Sequence, residues 1–316
     1  MKVLVVGGAG YIGGAVTDVL IRENVPFTVY DRLLYEHQYL KPVDFIFGDI
    51  RDVEKLKKIL PKYTHVIWLA AIVGDPACKI KPDLTTSTNQ EAVKWLSESF
   101  NGRIIFLSTC SVYGQNNNLI YENSKPNPLS LYAETKLKAE TYLANKNCLI
   151  FRLGTVFGVS DAFSRIRMDL AANYMTANAI KRGALSVFGG SQWRPFIHVK
   201  DVGEAIVRNL DRDIVGIYNL ASFNTQIKDM GETISKITGC KIEQVEQKFQ
   251  DARDYHVSTD KALKDSVFDP NTTKKLEYGV KEISDIITSG RIKYTENDVY
   301  FNERHITSLI EKNELK

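Results

Sequence analysis

Cysteine is scarce in this sequence, and long apolar runs are absent. The 316 residues include four cysteines, and no two of them have the C-x-x-C spacing. Neither a zinc site nor a disulfide framework is therefore predicted. No apolar segment has the length of a bilayer span, and the first residues lack the pattern and cleavage site of a signal peptide. The sequence predicts a cytoplasmic protein with no membrane contact and no metal.

Neither sign of charge is in clear excess. Lysine and arginine number 41, aspartate and glutamate 38, and the formal net charge is +3. So small an excess, spread along the chain, is not the electrostatic footprint of a nucleic-acid-binding protein. Any anionic ligand has to be held by local groups. The length and the hydrophobic content of 44% are ordinary for a globular protein with a large core.

The first apolar run ends in a glycine-rich turn. Val3–Val6 is continuously apolar, which predicts a strand buried on both faces of a parallel sheet. Gly7, Gly10 and Gly13 follow, and then a helical pattern runs to about Arg22. Such a turn brings the backbone close to a pyrophosphate and aims the free amides of a helix N-terminus at it. Taken alone, the turn supports dinucleotide binding only weakly.

A carboxylate follows the second predicted strand. Phe27–Tyr30 runs into Asp31, where a carboxylate can accept both hydroxyls of an adenosine ribose. Its negative charge repels a 2′-phosphate and so favours NAD over NADP. The next residue, Arg32, keeps the alternative open, because an arginine at this point can instead accommodate the extra phosphate.

Three further strand-like runs alternate with helical patterns. They are Phe45–Ile50, His65–Ala71 and Arg103–Leu107. This alternation predicts the α/β class with a doubly wound parallel (Rossmann) sheet, whose ligands bind outside the carboxyl ends of the strands. Asp49 can reach the adenine amine or cap the helix that follows it, and the sequence favours neither alternative.

A tyrosine and a lysine with Tyr-x-x-x-Lys spacing lie on the helix predicted after the fifth strand. Tyr132 and Lys136 are one turn apart and share a face. An ammonium beside a phenol favours the phenolate, which lowers the tyrosine pKa and makes Tyr132 a proton acceptor. Taken alone, the pair is better explained as two surface residues of a charged helix, so the surrounding motifs have to decide.

In combination, these motifs resemble the extended short-chain dehydrogenase/reductase family, in its branch of nucleotide-sugar epimerases and dehydratases typified by UDP-galactose 4-epimerase. The resemblance covers nearly the whole chain and also includes the segments Ser108–Gly114, Arg152–Gly158, Arg194–Val202 and Tyr218–Ala221. It implies an NAD-binding Rossmann domain at 1–160 with about 191–224. A smaller interleaved α/β substrate lobe is expected at about 161–190 and 225–290, followed by a C-terminal tail at 291–316 without assigned function.

The resemblance also implies roles for individual residues. The expected catalytic residues are Thr109, Tyr132 and Lys136, with Thr109 holding the reacting sugar hydroxyl. The expected NAD-binding residues are Gly7, Gly10, Tyr11, Ile12, Asp31, Arg32, Asp49, Ile50, Leu69, Ala70, Ala71, Tyr132 and Lys136. The expected substrate-binding residues are Thr109, Ser111, Asn173, Arg194 and Arg253.

Some of these roles rest on the chemistry of the side chain. The guanidinium forks of Arg194 and Arg253 suit a diphosphate. Asn173 is equally well explained as a helix-surface amide. Arg165 and Arg167 are candidate sugar contacts, and their alternative is a mobile basic loop.

Departures from the family pattern narrow the reaction. The sugar 4,6-dehydratases of this branch have an Asp-Glu pair directly after the threonine, whereas this chain has Cys110 and Ser111. Neither can replace a carboxylate, so dehydration is not expected. Cys110 is predicted to be a small buried side chain.

The predicted function is NAD-dependent oxidoreduction at C4 of a nucleoside-diphosphate sugar. An epimerase that passes through a 4-keto intermediate is favoured, and a 4-dehydrogenase or ketosugar reductase that releases its product is the alternative. A non-catalytic dinucleotide-binding protein is disfavoured, because the tyrosine, the lysine and the threonine are all present. A homodimer through helices near residues 88–100 and 131–145 is also expected.

Overall fold

The computed structural model describes residues 1–188, 190–245 and 254–315, and Arg253 lies outside these ranges. The strands are β1 (Val3–Val6), β2 (Phe27–Asp31), β3 (Phe45–Phe47), β4 (His65–Trp68), β5 (Arg103–Thr109), β6 (Gln115–Ile120), β7 (Cys148–Leu153), β8 (Thr155–Phe157), β9 (Ala184–Phe188), β10 (Trp193–His198), β11 (Gly216–Leu220), β12 (Phe223–Gln226), β13 (Lys241–Val245) and β14 (Asp254–Val257). The α-helices are α1 (Tyr11–Arg22), α2 (Val53–Ile59), α3 (Asp75–Ile80), α4 (Pro82–Thr86), α5 (Ala92–Ser99), α6 (Leu131–Leu143), α7 (Ala171–Arg182), α8 (Val199–Arg208), α9 (Ile227–Thr238), α10 (Asp260–Lys264), α11 (Leu276–Thr288) and α12 (Asn302–Glu311).

The main sheet is seven-stranded and parallel throughout, in the order β11-β7-β5-β4-β1-β2-β3. The direction of winding reverses between β1 and β4, which is the switch point where ligands of such sheets bind. The predicted doubly wound sheet is therefore confirmed. β3 and β4 end earlier than the sequence predicts, because the residues after Phe47 and after Trp68 leave the sheet to border a cleft.

Both faces of the sheet are covered by helices. Successive residues of a strand point to opposite faces. Val3 and Val5 accordingly pack in one cluster with apolar residues of α1 and α8, while Leu4 and Val6 pack in another with residues of α2, α5 and α6. All four side chains are fully buried. β1 is thus buried on both faces of the sheet, as its continuous apolar run predicts.

A smaller lobe packs α7, α9 and α11 around β9 and β10. The spacing of Met230, Ile234 and Ile237 predicts one buried helical face. Met230 and Ile234 are fully buried, but Ile237 is 40% exposed. Its predicted burial is wrong, because the core of the lobe ends one turn before the end of α9.

The segment after residue 291 packs against the body of the protein. In α12, Ile306 is buried in a cluster with Ile72 and Cys78, and Tyr132 packs against the same cluster. All four cysteines are buried and free. Within the described ranges, no helix combines the length and the apolarity needed to cross a bilayer.

Candidate active site

A cleft of about 810 Å³ opens at the carboxyl end of the main sheet. This volume is in the range of small-molecule sites. Every predicted site residue within the described ranges lines the cleft except Asn173. Arg253 lies outside those ranges. The sheet therefore brings together residues from the ends of β1, β2, β4 and β5 that are far apart in the sequence.

One side of the cleft, which we call the glycine wall, consists of residues 7–12 and Asp31. Gly7 has a φ of +85°, and a Cβ added to it would lie 2.5 Å from the backbone nitrogen of Ala70. Only glycine fits a backbone conformation and a close approach of this kind. No described side chain caps α1 at Gly10, so the amides of the first turn are available to an anion such as a pyrophosphate.

Asp31 is held rigidly at the end of β2. Its two carboxylate oxygens accept hydrogen bonds from the backbone amides of Ala9, at 3.1 Å, and Leu33, at 2.8 Å. Burial raises the pKa of Asp31, and these amides act in the opposite direction. Each oxygen keeps a second lone pair, with which it can accept a ribose hydroxyl.

The structure pairs Arg32 with a neighbouring acid. A guanidinium nitrogen of Arg32 lies 2.8 Å from Asp49, which Arg51 also contacts at 2.7 Å. Asp49 thus shares its single negative charge between Arg32 and Arg51. The cap of α2 is Asp52, which accepts from the amide of Lys55. The interpretation of Asp49 as the cap of this helix is therefore wrong.

Thr109 and Tyr132 lie side by side in the lining of the cleft. Thr109 is the last residue of β5, and its hydroxyl accepts from the amide of Ser111 at 3.1 Å. Tyr132 lies in the first turn of α6, whose N-cap Ser130 donates to Asp75 at 2.6 Å. Burial raises the pKa of Tyr132, and the charge of Arg167 and the hydroxyl of Thr109 act in the opposite direction.

Lys136 is buried one turn further along α6. Its ammonium lies 4.0 Å from the centroid of the Phe106 ring, and burial lowers its pKa to about 7 while the nearby Glu140 acts to raise it. Burial keeps the pKa of Tyr132 above its ordinary value, so the predicted lowering of this pKa is wrong for the protein's own groups.

The two residues after Thr109 differ in their access to the cleft. Cys110 is fully buried, its thiol lies 3.2 Å from the carbonyl oxygen of Arg152, and burial raises its pKa. The prediction that Cys110 is a small buried side chain is confirmed. Ser111 lines the cleft, and its hydroxyl lies 3.4 Å from that of Tyr255.

Of the residues expected at the substrate diphosphate, Arg194 lines the cleft from β10, with its guanidinium 5.6 Å from the ring of Tyr255. Asn173 does not reach the cleft. It is 1% exposed, and its amide group bonds to both backbone groups of Gly158 and to the carbonyl of Arg167. Its interpretation as a helix-surface amide is wrong, and its side chain instead fixes the loop before α7.

The sequence did not indicate Asn89, which lies in a π-helical turn before α5. Its side chain accepts from the amide of Ile72 and donates to the carbonyl of the same residue, both at 2.8 Å, and it approaches Thr135 of α6 at 3.5 Å. Asn89 thereby joins the loop after β4 to the helix that bears Tyr132. An isolated asparagine in a helical pattern gives no signal of this role.

A second part of the cleft lining, which we call the arginine wall, consists of Arg165, Arg167, Asp169 and Asn302. Arg165, Arg167 and Asp169 precede α7, and Asn302 begins α12. All four line the cleft, together with Phe301, Glu303 and Arg304. The C-terminal segment, to which the sequence assigned no function, therefore borders the site.

A sequence profile of the NAD dependent epimerase/dehydratase family matches residues 3–221. The chain belongs to this family. Its enzymes depend on NAD, and the glycine wall fits that cofactor: Gly7 leaves no space for a side chain, the first turn of α1 can bind the pyrophosphate, and Asp31 the ribose. The family assignment thus makes the protein an NAD-dependent enzyme.

Among its relatives, the chain is 27% identical over 274 residues to a UDP-glucose 4-epimerase of Streptomyces lividans, an alignment that covers 77% of this chain and 83% of the relative. The fold is similar to that of the Thermus thermophilus UDP-glucose 4-epimerase in complex with NAD, with a TM-score of 0.77, 22% identity and coverage of 91% and 100%. It is also similar to the UDP-glucuronic acid 4-epimerase of Bacillus cereus, with a TM-score of 0.76, 24% identity and coverage of 92% and 99%.

Proposed function

We propose that this protein is an NAD-dependent epimerase that inverts C4 of a nucleoside-diphosphate sugar through a 4-keto intermediate. The observation that carries the proposal is the placement of Thr109, Tyr132 and Lys136 together in the cleft next to the glycine wall. A tyrosine phenol beside a threonine hydroxyl is suited to taking a proton from a sugar hydroxyl and to returning it.

In the proposed reaction, Tyr132 as its phenolate takes the proton of the C4 hydroxyl, and Thr109 orients that hydroxyl. NAD, when bound, supplies the acceptor and then the donor of the hydride at C4, and its oxidised ring adds a positive charge that favours the phenolate. The ketosugar then rotates in the cleft so that C4 receives the hydride on its other face, and Tyr132 returns the proton to the C4 oxygen. Proton transfer by a positioned side chain contributes about 10²–10⁴-fold to such a rate.

The substrate class rests on Arg194 and on the relatives. Arg194 is 6% exposed and lines the cleft, and a guanidinium fork matches the oxygens of a diphosphate. The relatives include a UDP-glucose and a UDP-arabinose 4-epimerase. We therefore propose a nucleoside-diphosphate sugar as the substrate, with Arg194 at the diphosphate. The sugars of these two relatives are a hexose and a pentose, and the hexose or heptose expected from the sequence stays a prediction.

The residue after Thr109 favours epimerisation over dehydration. The fold does not separate the two reactions, since a dTDP-glucose 4,6-dehydratase is also similar to it, with a TM-score of 0.76. Cys110 is fully buried with a raised pKa, and so it offers no acid or base to the cleft.

The homodimer expected from the sequence stays a prediction.

The test is to incubate the protein with NAD and UDP-, GDP-, CDP- and dTDP-linked sugars, following NADH absorbance and product NMR. We expect one sugar nucleotide to become its C4 epimer without net NADH. Stoichiometric NADH would instead show a dehydrogenase. If the protein converts none of the sugar nucleotides in the panel, the proposal is contradicted.

A further inference from the structure

The arginine wall depends on a segment that the family profile does not include. The profile ends at residue 221, yet residues 301–304 line the cleft. Residues 297–305, which we call the C-terminal clamp, bind three separate loops. The amide of Met168 donates to the carbonyl of Tyr300 at 2.9 Å, and the ring of His305 lies 2.9 Å from the carbonyl oxygen of Leu34.

Asn302 is the centre of the clamp. It is 3% exposed, so its polar groups have little access to water. Its backbone amide donates to Asp169 at 3.0 Å, and its side-chain nitrogen donates to the carbonyl of Val73 at 2.8 Å. Its side-chain oxygen accepts from the guanidinium of Arg165. One residue thus joins the loop after β4 to the loop before α7.

These contacts set the positions of both guanidinium groups. Arg165 also donates to the carbonyl of Val299 at 2.8 Å and lies 3.9 Å from the centroid of the Tyr35 ring. Arg167 makes two hydrogen bonds to Asp169, at 2.9 and 3.0 Å. The aspartate that Asn302 holds is therefore the one that orients Arg167.

The arginine wall lies close to the reacting phenol. Tyr132 lines the same cleft as Arg165 and Arg167, and it packs against the same apolar cluster as Tyr35, the ring under Arg165. A sugar whose C4 hydroxyl meets Tyr132 accordingly lies within reach of this wall. A guanidinium held on a stacked ring offers donors in a fixed fork, which suits neighbouring hydroxyls or a carboxylate of a sugar.

We propose that Asn302 is a positioning residue for substrate recognition, and that through it the C-terminal clamp holds Arg165 and Arg167 against the glycosyl group of the nucleoside-diphosphate sugar. This inference rests on the proposed function. It assigns recognition of the sugar to the arginine wall and leaves the cofactor to the glycine wall.

The test compares Asn302→Ala with the wild-type enzyme, using the sugar nucleotide that the wild type converts in the panel above. We expect the KM to rise about 10- to 100-fold, because alanine removes the oxygen that holds the Arg165 guanidinium, and a hydrogen bond to a charged group is worth about this much. The change in kcat is smaller, and the Kd for NAD measured by calorimetry stays the same. Thr307→Ala, an exposed change in the same helix, is the matched control with unchanged constants.

Two further variants separate positioning from folding. Asn302→Asp keeps an oxygen for Arg165 but loses the donor to the carbonyl of Val73, and it is expected to recover part of the affinity for the sugar nucleotide. Arg165→Lys keeps the charge without the fork and is expected to raise the KM as Asn302→Ala does. Should Asn302→Ala fail to fold, this variant still tests whether the Arg165 guanidinium recognises the sugar.

Three outcomes would overturn the inference. In the first, the wild type converts a sugar nucleotide and Asn302→Ala keeps its KM. In the second, Arg165→Lys keeps the wild-type KM. In the third, Asn302→Ala loses NAD affinity and sugar affinity equally. A wild type that converts no member of the panel overturns the proposed function itself, which distinguishes the two failures.

Discussion

The glycine wall and the arginine wall bound the same cleft, but the chain builds them differently. The glycine wall comes from one stretch of about 25 residues, from Gly7 to Asp31, and its shape is set by local backbone geometry. The arginine wall joins residues 165–169 to Asn302 through side-chain contacts. If the arginine wall binds the sugar as proposed, the comparison predicts that cofactor binding and sugar binding are separable by mutation.

The largest effect is expected at Tyr132, which belongs to neither wall. Tyr132→Phe removes the proton acceptor and is expected to lower kcat by about 10²–10⁴-fold. The Kd for NAD and that for the sugar nucleotide should change little, since neither wall is altered. Steady-state kinetics and calorimetry check both statements.

The matched control is Tyr142→Phe in the same helix, whose hydroxyl makes one long contact of 3.5 Å with Gln90. It should leave all constants unchanged. Turnover retained by Tyr132→Phe would remove the basis of the proposed mechanism.

The next effect concerns a buried ion pair, which we call the joint, between Lys41 and Asp161. Lys41 is buried, and its ammonium contacts Asp18 of α1 at 2.6 Å and Asp161, in the loop that leads to the arginine wall, at 2.9 Å. Lys41→Met leaves Asp161 buried without its cation, which is expected to lower the free energy of unfolding by about 3 kcal/mol. Denaturant titration measures it.

Lys57→Met is the control, because its ion pair with Glu54 is exposed, with side-chain exposures of 56% and 73%. Its effect on stability should stay within about 0.5 kcal/mol. If the two lysine changes lower the free energy of unfolding equally, the buried joint does not stabilise the fold.

Acid should weaken the same joint. Burial acts to raise the pKa of Asp161, but hydrogen bonds from Ser164 and Lys41 outweigh it and hold the pKa below its ordinary value. The ion pair therefore stabilises the fold above about pH 4, the ordinary value of an aspartate, and this stability is lost as the pH falls through the lowered pKa. The difference between the wild type and Lys41→Met should shrink over that range.

A smaller effect is expected from a change confined to the glycine wall. Gly7→Ala forces a φ of +85° on alanine and places its Cβ 2.5 Å from the backbone of Ala70. We expect the Kd for NAD to rise about tenfold or more, since strain of this kind costs about 1–3 kcal/mol. Binding of the sugar nucleotide should change less.

Gly239→Ala is the control for backbone strain, because Gly239 has a φ of +72° and nothing within 4 Å of an added Cβ. It should leave NAD affinity unchanged. An equal loss of NAD affinity in both glycine variants would mean that the approach to Ala70 does not matter.

The sequence predicted the glycine wall and the sheet well, because their signals are contiguous. A strand, a glycine spacing and an acid follow each other within residues 3–31. Helix caps were harder: Asp49 and Asp52 both precede α2, and only the structure shows that Asp52 accepts from Lys55. Choosing between acids three residues apart depends on where the strand before them ends.

The arginine wall could not be predicted as a unit. Asn302 meets Arg165 and Asp169 only after the chain has folded, and nothing in the sequence near residue 302 indicates it. Asn173 was misjudged for the same reason, since its partners are backbone groups of Gly158 and Arg167. The raised pKa of Tyr132 arises from burial, to which packing around α12 contributes.

The position of the C-terminal clamp in the sequence bears on how the enzyme matures. Chains are synthesised from the N-terminus, and early segments can fold before later ones leave the ribosome. The whole glycine wall is synthesised within the first 31 residues, whereas Asn302 is added almost three hundred residues after Gly7. The growing chain therefore contains every residue of the glycine wall long before it contains the residue that holds Arg165.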